Sequence, residues 1–301
     1  MMKSKLIFLF TTLILASLSS TAQKYAFNYS LNSPDKKYVL PHILSEVSGL
    51  TDIDSAHVAC VQDELGIIFI YNFRTGRIVN QHKFDIAGDF EGLSYTGKSI
   101  FVLRSDGRLT EWSGFKPGSG GERITHYKLP LQTSNNEGLC YDKKRNRLLI
   151  AAKSKPFDHD VKSERFIYEF DLKKGILNRQ PVYSLNTEKL GIKAREFGLS
   201  THSYAPNGKV RPFNFRPASL AIHPHSDMVY IISAADRVLL VMNHSGEVIH
   251  MEPLSPELYA KAEGITFLND GTMIITNEAA GKAPTLLLFE VKNLKRRTAL
   301  H

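Results

Sequence analysis

Three times in this chain a glutamate stands directly before a glycine at the head of an apolar run: "FEGLSY" at 90–95, "NNEGLCYD" at 135–142 and "AEGITF" at 262–267. A single pair of this kind reads as a tight turn with a solvated acid, since glycine suits tight turns. A carboxylate repeated in register is different. It can serve acid–base chemistry or hold a cation, provided the fold brings the copies together. Two further segments share the step without the acid, "SEVSGLTDI" and "RPASLAIHP". The aligned anchors are Gly49, Gly92, Gly138, Ser219 and Gly264, separated by 43, 46, 81 and 45 residues. Immediately before them stand Ser48, Glu91, Glu137, Ala218 and Glu263; two residues further back stand Glu46, Asp89, Asn135, Arg216 and Lys261.

The elements that must position these residues are short strands. Each anchor run is followed by a second ("HVACV", "SIFVL", "RLLIA", "MVYII", "TMIIT") and a third ("GIIFIYN", "GRLTEW", "RFIYEFD", "VLLVMN", "TLLLFEV"). A weaker fourth precedes the next anchor, as in "ITHYKL" and "QPVYSL". Four β-branched, aromatic-rich runs per unit of about 45 residues is the arithmetic of a propeller blade. The predicted fold is therefore all-β: a β-propeller of five four-stranded blades. The last unit lacks a fourth run, and "KKYVLPHIL" near the N-terminus supplies one that closes the ring. The span 25–292 reads as one domain, with 186–215 an insertion between blades and 293–301 a basic C-terminal tail. A degenerate sixth blade in the insertion is the alternative.

In a propeller the loops that enter the first strand and leave the second open on one mouth of the central channel. That places Glu46, Asp63, Glu64, Asp89, Glu91, Glu137, Glu263, Asn277 and Glu278 around it, with Lys153 among them. Converging carboxylates must keep protons or find a cation. A ring of hard oxygens suits Ca²⁺, with Mg²⁺ the alternative, better than a soft metal. The competing reading is neutralisation by Lys153, Lys261 and Arg216 alone. Lys189, Lys193, Arg195, Lys209 and Arg211 in the insertion would form a basic flap on the same face, either solvated or holding an anionic small molecule.

Other chemistry is excluded or disfavoured. The opening 1–22 has a basic start, an apolar stretch Leu6–Ala16 and small residues before Gln23, which is a signal peptide; the apolar stretch is too short to span a bilayer. Export to the periplasm or the cell exterior follows, with no transmembrane span after cleavage. The net charge is +8, with no nucleic-acid motif, so the excess reads as solvated surface. Cys60 and Cys140 fall in non-adjacent blades and read as buried thiols. "HPHSD" at 223–227 reads as a turn on the far face, and Ser48 and Ser219 lack a nucleophile elbow.

Several motifs together resemble the SdiA-regulated (YjiK/CarP-like) family of bacterial envelope β-propellers: "EVSGL", "QDELGIIFIYN", "GDFEGLSY", "LRSDGRL", "NNEGLCYD", "LLIAAKS", "PASLAIHP" and "AEGITFLNDGTMIITNEA". The resemblance spans about residues 40–292. It implies a propeller, an envelope location, a link to calcium and a kinship to propeller phytases. The matching positions are Asp63, Glu64, Asp89, Glu91, Glu137, Lys153, Glu263, Asn277 and Glu278; the departure is Ala218-Ser219. The expected function is a monomeric, calcium-binding envelope module, whose partner is a divalent cation and, beyond it, an anionic small molecule or an envelope protein. The alternative is a metal-dependent hydrolase, a phosphoesterase or lactonase, with Glu91 as base and Lys153 holding an anionic group.

Overall fold

The structure is a computed structural model that describes residues 25–204 and 210–292. The segments 1–22 and 293–301, expected to be a signal peptide and a basic tail, lie outside the described residues. Five antiparallel sheets stand around one axis. Blade 1 comprises Val47–Asp52, His57–Gln62, Ile67–Asn72 and Arg77–Lys83. Blade 2 comprises Phe90–Tyr95, Ser99–Arg104, Arg108–Ser113 and Arg123–Lys128. Blade 3 has Asn136–Asp142, Arg147–Ala152 and Glu164–Asp171, with its outer edge split into Ile176–Leu177 and Tyr183–Asn186. Blade 4 runs Ser219–Ile222, Val229–Ser233, Val238–Met242 and Val248–Pro253. Blade 5 has Ala262–Phe267, Met273–Asn277 and Thr285–Phe289, and its outermost strand is Lys36–Val39 from the N-terminal side. That strand pairs Lys36 with Leu288 and Val39 with Thr285, closing the ring as the sequence predicts. The described residues form five blades and no sixth.

Burial follows from this layout. The second strands, and the third strands of blades 1, 4 and 5, are covered on both faces, so they are near-continuous apolar runs such as Val58–Val61 and Ile68–Tyr71, whereas the third strands of blades 2 and 3 interleave polar residues. Outer strands face water on one side, and Arg77–Lys83 alternates exposed and half-buried residues. The core is five apolar clusters, one in each seam between neighbouring blades. Cys60 and Cys140 are buried free thiols in different seams, and burial raises the pKa of both.

At the axis, neighbouring inner strands nearly touch. A Cβ on Gly92 would stand 2.6 Å from Leu139 Cβ and 2.8 Å from the Glu137 carbonyl oxygen. One on Gly264 would meet Thr276 Oγ1 at 2.2 Å and Leu50 Cβ at 2.8 Å. The repeated glycine is thus a contact requirement between blades. Backbone amides add to it: Ile265 N donates to Ser219 Oγ at 3.2 Å, Asp52 N to Thr266 Oγ1 at 3.1 Å, and Tyr95 N to Thr51 Oγ1 at 3.1 Å. In blade 4, where serine replaces glycine, the hydroxyl becomes one of these acceptors.

The insertion departs from expectation. It contains a ten-residue helix, Thr187–Glu196, capped by Asn186, whose side chain accepts from the amides of Glu188 and Lys189. A Schellman motif ends it: Gly198 N donates to Arg195 O and Leu199 N to Ala194 O, with Gly198 at φ 77°. The helix buries Leu190 and Ala194 in the seam between blades 3 and 4. A short hairpin of His202–Tyr204 and Val210–Pro212 follows. Among the described residues no helix is long and apolar enough to cross a membrane.

Candidate functional site

Each Glu-Gly pair is a β-bulge. The register shifts between Phe90 and Gly92, between Asn136 and Gly138, and between Ala262 and Gly264, so Glu91, Glu137 and Glu263 are the extra, unpaired residues of their inner strands. A bulge re-aims a side chain and commonly does so beside a functional site. Blade 1 has the same shift with Ser48-Gly49 as its centre. Blade 4 runs from Ser219 opposite Ile232 without a shift, and presents no acid.

A belt of backbone bonds fixes the loops at this mouth. Glu278 N donates to Lys261 O, Ala279 N to Ser45 O, Asp63 N to Glu46 O, Phe90 N to Asp63 O, Ser105 N to Asp89 O, Asn136 N to Ser105 O and Lys153 N to Asn135 O. The residues predicted from sequence therefore share one face, in three groups. Glu91, Glu137 and Glu263 face Lys153 at the centre. Glu137 Oε1 takes the Lys153 ammonium at 2.7 Å and the Asn135 amide at 3.1 Å. Ser48 Oγ donates to Glu91 Oε2 at 2.9 Å. Glu46, Asp63 and Glu278 gather at the seam of blades 5 and 1, where Lys261 pairs with Glu278 and stands 3.3 Å from Glu263 Oε1. Glu64 and Asp89 are exposed at the rim, and Asp89 accepts from Ser105 Oγ. Asn277 donates to Thr285 Oγ1 at 3.0 Å, which ties it into blade 5.

Crowding and burial favour protons here. Burial first, then Glu91, raises Glu137 to about 8 despite Lys153. Burial raises Glu91 to about 7 against the Ser48 hydrogen bond. Burial also raises Glu263. Glu46 is pushed up to about 7, first by its hydrogen bond to the Glu278 carboxyl and then by burial. Burial opposes charge on Lys153, yet Glu263, Glu137 and Glu91 outweigh it and hold its pKa above the ordinary value.

The mouth also holds buried oxygens with no hydrogen-bond partner: Asp63 Oδ1, Asn135 Oδ1, Glu137 Oε2, Glu263 Oε1 and Asn277 Oδ1. The 3.3 Å approach of Lys261 to Glu263 Oε1 is an ion pair without hydrogen-bond geometry. Buried acceptors left without hydrogen bonds fit a cation, although the Thr276 hydroxyl, also without a partner, lies on the adjoining strand. The spacing fits less well. Among the described residues no three His, Cys, Asp or Glu side chains are arranged to hold a metal ion, and the Lys153 ammonium interacts with all three central glutamates.

Among the described residues the expected basic flap does not gather over the mouth, and Arg195 bonds Thr201 Oγ1 at 3.4 Å. Lys189 and Lys193 line a groove with Gly246, Glu247 and Val248 at the outer edge of blades 3 and 4, because the apolar face of the helix is drawn into that seam. Lys209 and the side chain of Arg211 lie outside what the structure describes. Sequence reasoning passed over Arg165, buried at the start of the third strand of blade 3 and bonded to Asn214 Oδ1. Its signal was an arginine heading the apolar run "RFIYEFD". Asn214 N in turn donates to Asp236 Oδ1 at 3.1 Å, so this group fills the blade 4 side where no glutamate stands.

No family model and no curated protein matches the chain. Among solved structures, glutaminyl cyclase of Myxococcus xanthus aligns with a TM-score of 0.55 at 15% identity, covering 86% of this chain and 96% of that one. A nidogen–laminin complex aligns at 0.48 and 16%, covering 79% and 74%. Streptogramin B lyase aligns at 0.46 and 13%, covering 85% and 97%. At these identities the likeness to the cyclase shows the fold alone.

Proposed function

We propose that this chain is an exported propeller of the cell envelope whose mouth binds a divalent cation, calcium being the hard-oxygen case. The observation that carries the reading is the set of buried mouth oxygens left without partners. Glu137 and Glu263, with the Asn135 carbonyl, would hold the ion, and Asp63, Glu46 and Glu278 would serve at the neighbouring seam. Lys153 and Lys261 are the competitors, because their ammonium groups already neutralise part of this charge. Calorimetric titration of the mature protein with Ca²⁺ should therefore show binding that weakens at least tenfold in Glu137→Gln and tightens in Lys153→Met. Heats that are unchanged in Glu137→Gln, or absent from the unaltered protein, reject the reading.

One observation favours a second reading, hydrolysis. Glu91 has a pKa near neutrality, the range that suits a general base, and Lys153 is close enough to stabilise it electrostatically. Turnover of phosphomonoesters or lactones, dependent on added cation and lost in Glu91→Gln, is the outcome that reading requires.

A further inference from the structure

Leu50, Leu93, Leu139, Leu220 and Ile265, one from each inner strand and each following its anchor residue, make a ring of positions around the axis; each is at most 4% exposed and packs into its own seam between blades. Beyond this ring, on the face opposite the carboxylates, lies a second cavity of about 510 Å³ built from all five blades. The aliphatic ring is part of its lining. Its walls come from the far ends of the inner strands and the turns after them, with Tyr95 and Tyr141 among the aromatic groups. The size lies in the range of small-molecule sites, which run to roughly 300–1,000 Å³.

Two charges of opposite sign mark this cavity. Asp52 lines its wall; the Asp52 carboxylate accepts from Thr266 Oγ1 at 3.1 Å and has no ion-pair partner among the described residues. Burial raises its pKa, and the field of Lys143 partly offsets this. Lys143 lines the opening, is exposed, and likewise has no ion-pair partner among the described residues. The neighbouring charges are already engaged: Lys144 stands 3.5 Å from Asp227, and Asp142 is bonded by Arg145 and Arg147. A half-buried carboxylate bonded by one hydroxyl and one backbone amide, with only the field of the exposed Lys143 opposing it, is short of the paired counter-charge that burial calls for.

We propose that this far-face cavity binds a small zwitterion with an aliphatic body, of the free amino-acid class, its ammonium on Asp52, its carboxylate on Lys143 and its side chain on the aliphatic ring. A ligand with only one charge would leave one of the two protein groups unmatched. The site is separate from the mouth, so it stands or falls independently of cation binding there.

The test is calorimetry of the mature protein with L-leucine, L-leucine methyl ester and 4-methylpentanoate, which carry both charges, the ammonium alone and the carboxylate alone. Leucine should bind, and each half-ligand should bind at least tenfold more weakly. Asp52→Asn should lose leucine binding at least tenfold. So should Lys143→Glu, which changes an exposed side chain and should leave the melting temperature unaltered. Glu137→Gln at the mouth should leave leucine binding unchanged. Absence of leucine binding, equal binding of the ester, or binding that survives both Asp52→Asn and Lys143→Glu overturns the proposal.

Discussion

Glu91 shows what a single residue contributes at the mouth. Its carboxyl is raised from an ordinary 4.5 to about 7 by burial, so the folded protein holds a proton there that the unfolded chain has released. The folded state binds more protons between those two values. The associated stability is full below the unfolded pKa and is lost as pH rises through about 7, amounting to about 3 kcal/mol for one group. Thermal melts of the metal-free protein should fall by several degrees between about pH 5 and pH 8, and Glu91→Gln should flatten the curve. A melting temperature that is level or rises across that window contradicts this account. The Glu-Gly pair was legible in the sequence as a repeated carboxylate. Lys153 was legible as a mouth cation able to neutralise the set, but Glu137 as its particular partner was not, because no spacing rule connects Glu137 with an ammonium at the end of another strand.

At the level of the element, the bulge and the glycine are distinct devices at adjacent positions. The bulge turns the glutamate toward the channel, while the glycine lets the next inner strand approach. Gly92→Ala forces a methyl group to within 2.6 Å of Leu139 Cβ and should destabilise the protein by about 1–3 kcal/mol, the usual cost of overpacking. Gly118→Ala is the control, since a Cβ there meets nothing within 4 Å, and chemical denaturation should find it close to neutral. Equal effects of the two would show that axial contact is not what selects glycine. The helix Thr187–Glu196 was the least legible element. Its apolar positions are few and include Gly191, a poor helix former, and its order comes from the seam it fills together with caps at both ends.

For the whole molecule, closure is the controlling feature. The strand Lys36–Val39 covers the open edge of Thr285–Phe289, and the segment before it packs Tyr29 into the seam of blades 4 and 5, where its hydroxyl donates to Gly271 O at 2.6 Å. Removing residues 25–39 would expose an apolar strand edge of the kind that pairs with other chains. Size-exclusion chromatography and calorimetry of that truncation should show association and a broadened, lower transition. A monomer that melts as sharply as the full domain would show that the ring does not depend on its clasp.

Whether 186–215 holds a sixth blade was open in the sequence and was decided by the fold, which puts a helix and a hairpin there; the sequence alone determined the four-strand repeat, the closing strand and the face on which the carboxylates gather. Each of these follows from local periodicity and from the order of the loops, which strand geometry transmits directly. Tertiary structure alone decided which charges meet. It paired Lys153 with Glu137 and Lys261 with Glu278, drew the basic helix away to an outer seam, and shaped a cavity on the far face lined by all five blades. These outcomes depend on distances between blades far apart in the chain, and a pattern of residue types along one strand does not contain them.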